Sequence, residues 1–169
     1  MVEFVVADSR GIGLSSDPAA FEGFYRDHHV EVARALIIAI GDRELGSEAA
    51  DEAFARAFER WDQVNGYENR SGWVYRVGLN WARGRIRRRS YRPSQLLDGG
   101  VHVDELPEPE LIEAVANLGF SHRAVVVARF FLDWSIEQTA AALDIPEGTV
   151  KTRQARAVRR LRRELGEQA

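Results

Sequence analysis

Two segments of the chain place polar and cationic residues on one side of a helix and apolar residues on the other. In each, the polar positions recur at offsets of 0, 4, 7 and 11, which share one side at about 3.6 residues per turn. They are Arg76, Asn80, Arg83 and Arg87 in segment 72–89, and Thr152, Arg156, Arg159 and Arg163 in segment 146–165. The opposite edges hold Val74, Val77, Gly78 and Trp81 in the first segment, and Val150, Ala157, Val158, Leu161 and Leu165 in the second. No acid interrupts either cationic stripe, so each helix is predicted to bury one edge and to offer the other to a polyanion such as nucleic acid.

Charge is distributed in blocks that the net charge of −3 conceals. Residues 67–92 hold eight bases and one acid, whereas residues 1–66 hold six bases and thirteen acids. Residues 93–120 hold six acids and no base, and residues 121–169 hold nine bases and six acids. This alternation suits a protein that contacts a polyanion with two parts and a different partner with another.

The composition excludes several classes of protein. The chain has no cysteine, so neither a disulfide framework nor a thiolate zinc site is possible. No apolar run approaches the roughly 20 residues that span a bilayer, and residues 1–17 lack the basic start of a signal peptide. The adjacent His28 and His29 do not converge on one helix face, and no catalytic triad or phosphate-binding loop stands out. We therefore expect a cytoplasmic protein that is not an enzyme, with no metal, no cofactor and no membrane insertion.

The apolar pattern is helical, with no convincing alternating strand, and predicts an all-α fold of two small helical domains. Asp17 is expected to cap a first helix that Gly41 interrupts, Ser47 to cap the next, and Ser71 to precede the first striped helix. Residues 93–109, rich in acids, glycine and proline, predict a flexible linker. The predicted division is an N-terminal extension over 1–16, a first domain over 17–92, the linker over 93–109 and a second domain over 110–169.

The second domain contains the sharpest local pattern in the chain. After a helix expected to start at Ser121, the side chains of Ser135 and Gln138 are spaced as a capping box. Asp144 and Pro146 then turn the chain into the second striped helix. A short helix, a tight turn and a longer cationic helix form the helix-turn-helix arrangement, whose second helix enters the major groove of DNA.

Three segments resemble motifs of the extracytoplasmic-function (ECF) group of bacterial RNA polymerase sigma factors. Residues 145–157 resemble the recognition helix of that family, residues 50–58 its core-binding helix and residues 72–83 its promoter-melting helix. The resemblance covers about residues 18–92 and 108–165, with the motifs in the order and spacing of the family. It implies a sigma factor that binds core RNA polymerase, recognises the −35 and −10 promoter elements and helps to melt the DNA.

The resemblance also implies roles for individual residues. The surface for the coiled coil of the polymerase β′ subunit would comprise Asp51, Glu52, Phe54, Arg56 and Ala57. A base-capturing loop at 66–71 and the first striped helix would contact the −10 element through Tyr67, Glu68, Asn69, Arg70, Trp73, Arg76, Asn80, Arg83 and Arg87. The −35 element would be contacted by Arg129, Thr149, Lys151, Thr152, Ala155, Arg156 and Arg159. Of the aromatic residues among the arginines, Tyr67, Trp73 and Tyr75 are candidates to stack on bases, and Trp73 is better placed than Trp81.

The partners that the resemblance implies are core RNA polymerase, through the β′ coiled coil and the β flap, and promoter DNA, with an anti-sigma factor as a further candidate. In the holoenzyme the protein would be associated with the nucleoid. The two domains of such proteins often pack together until core polymerase separates them. Gln154 departs from the family pattern, which has leucine or isoleucine there, and indicates looser packing or a polar contact at the buried edge.

Two alternative functions remain open at this point. A polymerase-independent helix-turn-helix regulator would explain the second domain but leave Asn80, the melting helix and residues 51–58 without a purpose. A degenerate sigma-like protein would occupy core polymerase without transcribing. Binding of single-stranded −10 DNA separates a sigma factor from the first alternative, and transcription in vitro separates it from the second.

Overall fold

The computed structural model describes residues 17–88 and 107–166, and in those ranges every regular element is a helix. In the first range α1 spans Pro18–Ile40, α2 Arg43–Glu59, α3 Trp61–Val64 and α4 Arg70–Arg88. In the second range α5 spans Pro109–Ala116, α6 Phe120–Val126, a π-helical segment Val127–Phe131, α7 Ile136–Leu143 and α8 Glu147–Glu164. The predicted all-α fold class is confirmed, whereas most of the predicted linker and the whole N-terminal extension lie outside the described residues.

The first helix begins and ends where the sequence predicts. The carboxylate of Asp17 accepts a hydrogen bond from the backbone N–H of Ala20 at 3.0 Å, and Pro18 occupies the first helical position. Gly41 ends the helix with a left-handed φ of 80°, and its N–H donates to the carbonyl of Ile37. Glycine adopts that conformation without steric cost, so the chain reverses directly into α2.

Three predicted helix starts are wrong by one to five residues. Helix α2 is capped by the buried Asp42 and not by Ser47, because the reversal at Gly41 leaves Asp42 extended with its Oδ1 2.7 Å from the N–H of Leu45. Helix α4 is capped by Asn69, whose Oδ1 accepts the N–H of Gly72 at 2.8 Å, so Ser71 lies inside the helix. Helix α6 begins at Phe120, without a side-chain cap at Ser121.

The N-terminal helices pack α1 against α2 and α4 around an aromatic cluster. The ring of Trp61 meets Phe21 edge-on and Phe24 nearly parallel, with both centroid distances 5.3 Å. Close packing of α1 on α2 depends on Gly46, where a Cβ would lie 2.5 Å from the Cα of Ile37. This core fixes the orientation of α4 and therefore of its cationic stripe.

The C-terminal helices form the predicted helix-turn-helix. The Ser135 Oγ accepts from the Gln138 N–H at 3.0 Å and the Gln138 Oε1 accepts from the Ser135 N–H at 2.9 Å, so the capping box is present. Asp144 is left-handed, with φ 54° and ψ 50°, and a carboxylate residue tolerates that conformation better than most. Buried Val125, Ala140 and Val150 join α6, α7 and α8, which sets α8 across α7 with its outer side exposed.

The two groups of helices pack against each other in one continuous core. Helix α1 contacts α6, and α4 contacts α7. The Tyr75 hydroxyl on α4 is fully buried and donates to the carbonyl of Ala124 on α6 at 2.9 Å, and burial raises the pKa of that hydroxyl above its ordinary value. Both groups therefore meet as packed surfaces, as the resemblance implies for the free protein.

Arg123 is the main polar link between the two groups. Its Nε donates to the carbonyl of Ala39 at 2.8 Å and its Nη2 to that of Ile40, both at the C-terminal end of α1. Its Nη1 donates to the carbonyl of Ala116, the last residue of α5, at 3.1 Å and to that of Leu118, just after α5, at 2.7 Å. One guanidinium thus satisfies carbonyls that two helices leave without partners, and partial burial lowers the pKa of Arg123.

Candidate nucleic-acid interface

The stripe on α8 is exposed along its whole length. Thr152, Arg156, Arg159 and Arg163 are all exposed, whereas Val150, Ala157 and Leu161 on the opposite edge are buried. Leu165 was predicted to belong to the buried edge but is 40% exposed, because the helix ends at Glu164. The stripe carries three guanidinium groups that make no ion pair in the described part of the chain, and it faces solvent.

The other predicted −35 residues divide into an exposed set and one that is engaged. Lys151 and Ala155 are exposed and Thr149 is half-buried. Arg129 points inward instead, where its Nε donates to the Gln154 Oε1 at 2.8 Å and its Nη1 donates to the carbonyl of Trp134. The polar contact that Gln154 indicated is therefore a bond to Arg129, and Arg129 joins the π-helical segment to α8 rather than facing the surface of the stripe.

The stripe on α4 is exposed at one end and covered at the other. Asn80, Arg83 and Arg87 are exposed, and Arg76 is half-buried. The guanidinium of Arg83 lies over the ring of Phe120 on α6, 4.7 Å from its centroid, a cation–π contact with the C-terminal helices. Arg85, which is outside the stripe, pairs with Glu48 at 3.8 Å. The stripe therefore contacts the second group of helices at Arg83 and near Arg76.

The loop before α4 lies beside α7, and a cavity that is open to solvent lies between them. The cavity has a volume of about 680 Å³ and is lined on one side by Tyr67, Glu68, Asn69, Trp73 and Arg76, and on the other by Ser135, Glu137, Gln138, Ala141 and Ala142. Helices α4 and α7 pack closely at Gly72, where a Cβ would lie 2.9 Å from the Cβ of Ala142. The predicted base-capturing residues thus share a site with the first helix of the helix-turn-helix.

One predicted −10 residue, Arg70, and one stacking candidate, Tyr75, are engaged within the fold. Arg70 donates to the Asn65 Oδ1 at 2.9 Å and lies over the rings of Phe24 and Trp61, so it supports the loop from below. Tyr75, a candidate for stacking on bases, has no exposed surface and packs edge-on against Trp134. Tyr75 is therefore unable to stack on a base in this arrangement, and Tyr67 and Trp73 remain the candidates.

The acidic surface predicted to bind polymerase lies on α2, on the side of α1. Asp51 and Arg56 are exposed and Glu52 is half-buried, and the Arg56 Nε donates to the Glu52 Oε1 at 3.0 Å. Phe54 and Ala57 are instead 2% and 0% exposed. They are core residues, because they share the inner edge of α2, and they can only support such a surface from beneath.

Sequence reasoning missed two neighbours of that acidic surface. Tyr25 stacks on His29 with a centroid distance of 4.4 Å and meets Phe54 edge-on at 5.2 Å. The His29 Nε2 lies 3.6 Å from the Asp51 Oδ1. Burial, and then the charge of Asp51, raises the pKa of Tyr25. The four-residue spacing of Tyr25 and His29 on α1 was the signal available, since it places both side chains on one face.

Two further kinds of site are absent from residues 17–88 and 107–166. Within them, no group of three or more His, Cys, Asp or Glu side chains could hold a metal ion. None of the helices described is long and apolar enough to cross a membrane.

Two solved structures share this fold. The sigma factor RpoE of Bartonella quintana, solved in complex with the anti-sigma factor NepR, aligns with a TM-score of 0.74 over 89% of this chain and 99% of that chain, at 18% identity. CnrH, solved with the cytosolic domain of CnrY, aligns with a TM-score of 0.65 over 92% of this chain and 94% of that chain, at 20% identity. At these identities the likeness defines the class of fold, a sigma-factor arrangement of helices.

Sequence comparison identifies the family. Residues 114–163 match the family model for sigma-70 region 4. The ECF RNA polymerase sigma factor SigM of Mycobacterium tuberculosis is 32% identical over 158 residues, which is 90% of this chain and 81% of the relative. SigX of Bacillus subtilis, of the same group, is 26% identical over 86% of this chain and 83% of its own length. The chain therefore belongs to the ECF family of RNA polymerase sigma factors, which direct promoter-specific transcription initiation.

Proposed function

We propose that this sigma factor binds core polymerase through the exposed acidic surface of α2 and binds promoter DNA through the stripes on α4 and α8. The observation that carries the proposal is the presence of two acid-free cationic stripes, at matching offsets, on helices of two different helical groups. Two separated contacts on one long polyanion fit the −10 and −35 elements of a promoter. The acidic surface at Asp51 and Glu52 would repel DNA and fits a protein partner instead.

At the −35 element, α8 would lie in the major groove as the second helix of the helix-turn-helix. Arg156 is exposed near the middle of the stripe, where a guanidinium can donate two hydrogen bonds to guanine, worth about 1–3 kcal/mol of discrimination. Lys151 and Arg159 flank it and would contact phosphates. The Thr152 hydroxyl already donates to the carbonyl of Gly148 at 2.9 Å, so its methyl group and its acceptor lone pairs are what it offers DNA.

At the −10 element, α4 and the loop before it would hold a separated strand. Asn80 is exposed and carries both a donor and an acceptor, as recognition of an unpaired base edge requires. Tyr67 and Trp73 would stack on bases, which contributes about 1–3 kcal/mol per base and offsets an unstacking cost of a few kcal/mol. This mechanism is binding rather than covalent chemistry, so the protein is proposed not to be an enzyme.

The packed arrangement would have to open for this binding. Arg83 contacts Phe120, and Arg76 and Trp73 line an open cavity whose other wall is α7, so a DNA strand on α4 would compete with α6 and α7. We propose that the chain functions as two domains, over 17–92 and 110–169, which core polymerase separates. An anti-sigma factor, of the kind bound to RpoE in one of the similar solved structures, would hold the packed form. The protein would act in the cytoplasm, and on the nucleoid when in holoenzyme.

Gel filtration with purified bacterial core polymerase tests the proposal. Wild type is expected to co-elute with core, and an Asp51→Arg/Glu52→Arg variant to remain behind. A Glu108→Arg/Glu110→Arg variant makes the same charge change at exposed positions of the other helical group, and it is expected to co-elute. If wild type does not bind core at micromolar concentrations, the polymerase-independent regulator becomes the working function. If it binds core but no genomic fragment is transcribed, the degenerate sigma-like protein does.

A further inference from the structure

The inner edge of α8 includes one polar side chain, that of Gln154. This edge repeats at the offsets of the exposed stripe, since Val150, Gln154, Ala157 and Leu161 follow one another at 0, 4, 7 and 11. The three apolar members are buried and Gln154 is half-buried. An amide at a packed edge loses hydration and needs a hydrogen-bond partner within the protein. Because the family pattern has leucine or isoleucine at this position, the contact that Gln154 makes distinguishes this chain.

Arg129 supplies that contact and extends it to a second element. Arg129 is the middle residue of the π-helical segment, and its Nε donates to the Gln154 Oε1 at 2.8 Å. Its Nη1 donates to the carbonyl of Trp134, in the loop that leads into α7. A planar guanidinium holds its donors in fixed directions, so the two bonds define an angle as well as a distance. Arg129 therefore fixes α8 relative to the loop before α7.

The loop before α7 is itself held in place. The Trp134 N–H donates to the carbonyl of Ala128 at 3.0 Å, and the Trp134 ring packs edge-on against Tyr75 with a centroid distance of 5.5 Å. Asp133 is left-handed, with φ 55°, a conformation that a residue other than glycine keeps only where surrounding contacts enforce it. The loop thus gives Arg129 a fixed reference from which to orient α8.

We propose that Gln154 is a positioning residue for recognition of the −35 element and that it acts through Arg129. Its side chain lies about 200° around the helix from Arg156, on the edge away from the DNA that the stripe would contact. Two hydrogen bonds from Arg156 to a guanine require alignment within roughly 0.5 Å and 10–20°. Apolar packing is non-directional, and alone it would leave α8 freer to rotate about its axis. Gln154 has this role only if α8 reads DNA, so the role rests on the proposed function.

Binding of two DNA duplexes to the full chain tests the role of Gln154. Wild type selects one duplex from a random pool, and the other is a scrambled duplex of the same composition. Fluorescence anisotropy gives the selectivity, which is the dissociation constant of the scrambled duplex divided by that of the selected one. Gln154→Met keeps the length of the side chain but removes the amide, and it is expected to lower the selectivity at least about fivefold. The matched Gln154→Glu variant keeps an acceptor for Arg129 and is expected to retain the wild-type selectivity.

A merely structural role of Gln154 predicts a different result. Loss of stability alone would reduce the folded fraction, so both duplexes would bind more weakly by the same factor and the selectivity would not change. The Arg129→Met background separates the two roles further. There the bond to residue 154 is already absent, so Gln154→Met is expected to cause no additional loss of selectivity.

Four outcomes would overturn the positioning role. They are wild-type selectivity in Gln154→Met, an equal loss of selectivity in Gln154→Glu, an additional loss on top of Arg129→Met, and tighter binding of both duplexes by Gln154→Met. The last result, with a steeper salt dependence, would show that Gln154 keeps the Arg129 charge away from phosphates. If Gln154→Met loses its helical circular dichroism, Gln154→Leu replaces it, because leucine belongs to the family pattern.

Arg156→Ala in the same assay tests the proposed function separately. If Arg156→Ala loses selectivity and Gln154→Met does not, only the role of Gln154 fails. If wild type selects no duplex, the proposed −35 function of α8 fails and the role of Gln154 fails with it.

Discussion

The cationic stripes on α4 and α8 follow one sequence pattern but have different surroundings. On α8 every member of the stripe is exposed. On α4, Arg83 lies over Phe120 and Arg76 lines a cavity with α7, so the C-terminal helices cover part of the stripe. The difference teaches that identical offsets specify which side of a helix is polar, but only the packing of the whole chain decides whether that side is accessible. The packed protein presents its proposed −35 surface and restrains its proposed −10 surface.

The largest effect is expected from breaking the link that keeps the α4 stripe covered. Arg123→Ala removes the guanidinium that donates hydrogen bonds to four carbonyls, those of Ala39, Ile40, Ala116 and Leu118. Loss of charge-assisted bonds at partly buried carbonyls is expected to lower the free energy of unfolding by about 2–3 kcal/mol. Urea unfolding measures it. Arg160→Ala is the control, because Arg160 pairs with Glu164 at the surface and is worth at most about 1 kcal/mol.

An equal loss in the Arg123 and Arg160 variants would contradict the proposed role of Arg123. The same two proteins also sharpen the comparison of the stripes. Opening the packed arrangement should raise the affinity of free protein for single-stranded −10 DNA in the Arg123→Ala variant and leave duplex −35 binding unchanged.

The exposed stripe is tested from its own side by Arg156→Ala. Removing a guanidinium proposed to contact a base is expected to weaken binding of the duplex −35 element by about 1–3 kcal/mol, chiefly for the cognate sequence. Binding of single-stranded −10 DNA should not change, because α8 carries no part of that surface. Fluorescence anisotropy with two DNA probes measures both affinities. Equal weakening for cognate and scrambled duplexes would show that Arg156 contacts phosphate rather than a base.

A smaller effect is expected at the hydrogen bond between α4 and α6. Tyr75→Phe keeps the buried ring but removes the hydroxyl that donates to the carbonyl of Ala124, which still accepts from the backbone N–H of Val127. The loss of one hydrogen bond is expected to lower the free energy of unfolding by about 1–1.5 kcal/mol. Thermal or urea unfolding measures the loss. Tyr67→Phe, at a partly exposed hydroxyl, serves as the control and should change stability by less than about 0.5 kcal/mol. Comparable losses in the two variants would mean that the buried bond contributes nothing specific.

Local signals in the sequence predict much of the fold, and their failures have physical reasons. The cap at Asp17, the helix end at Gly41, the Ser135 capping box and the turn at Asp144 are determined by a few neighbouring residues, and the structure has each where it was predicted. Ser47 and Ser71 are good caps by residue type, but Asp42 and Asn69 precede them and cap the helices first. The sequence contains no local sign of which serine, aspartate or asparagine takes the N-cap position.

For the candidate site, the sequence predicts which side of each helix is polar, but it does not predict which residues other parts of the chain bury. Periodicity placed Asn80 and Arg156 on exposed sides, and the structure agrees. Tyr75, Phe54 and Arg129 were assigned outward roles, yet the first two are buried and the third is bonded to Gln154. Burial of Tyr75 depends on α6, which is about 50 residues away in the sequence, and no local pattern carries a contact of that range. The cavity between Trp73 and α7 was beyond prediction for the same reason.

The smallest expected effect, and the sharpest contrast between the two stripes, comes from one methyl group. Gly72→Ala places a Cβ 2.9 Å from the Cβ of Ala142 and 2.7 Å from the Asn69 Nδ2, so α4 and α7 must move apart by a few tenths of an ångström or more. Because the contact with α7 restricts access to the proposed −10 surface of α4, the variant is expected to bind single-stranded −10 DNA several-fold more tightly than wild type, a gain of about 1 kcal/mol. Binding of duplex −35 DNA should stay the same.

Gly84→Ala is the matched control for that variant. A Cβ at Gly84 meets no atom within 4 Å, so this change adds the same methyl group to the same helix without touching α7. It should stabilise α4 by up to about 1 kcal/mol through helix propensity and leave both DNA affinities unchanged. If Gly72→Ala and Gly84→Ala bind the −10 strand equally, α7 does not restrain the α4 surface. The two stripes would then differ in their surroundings but not in their availability to DNA.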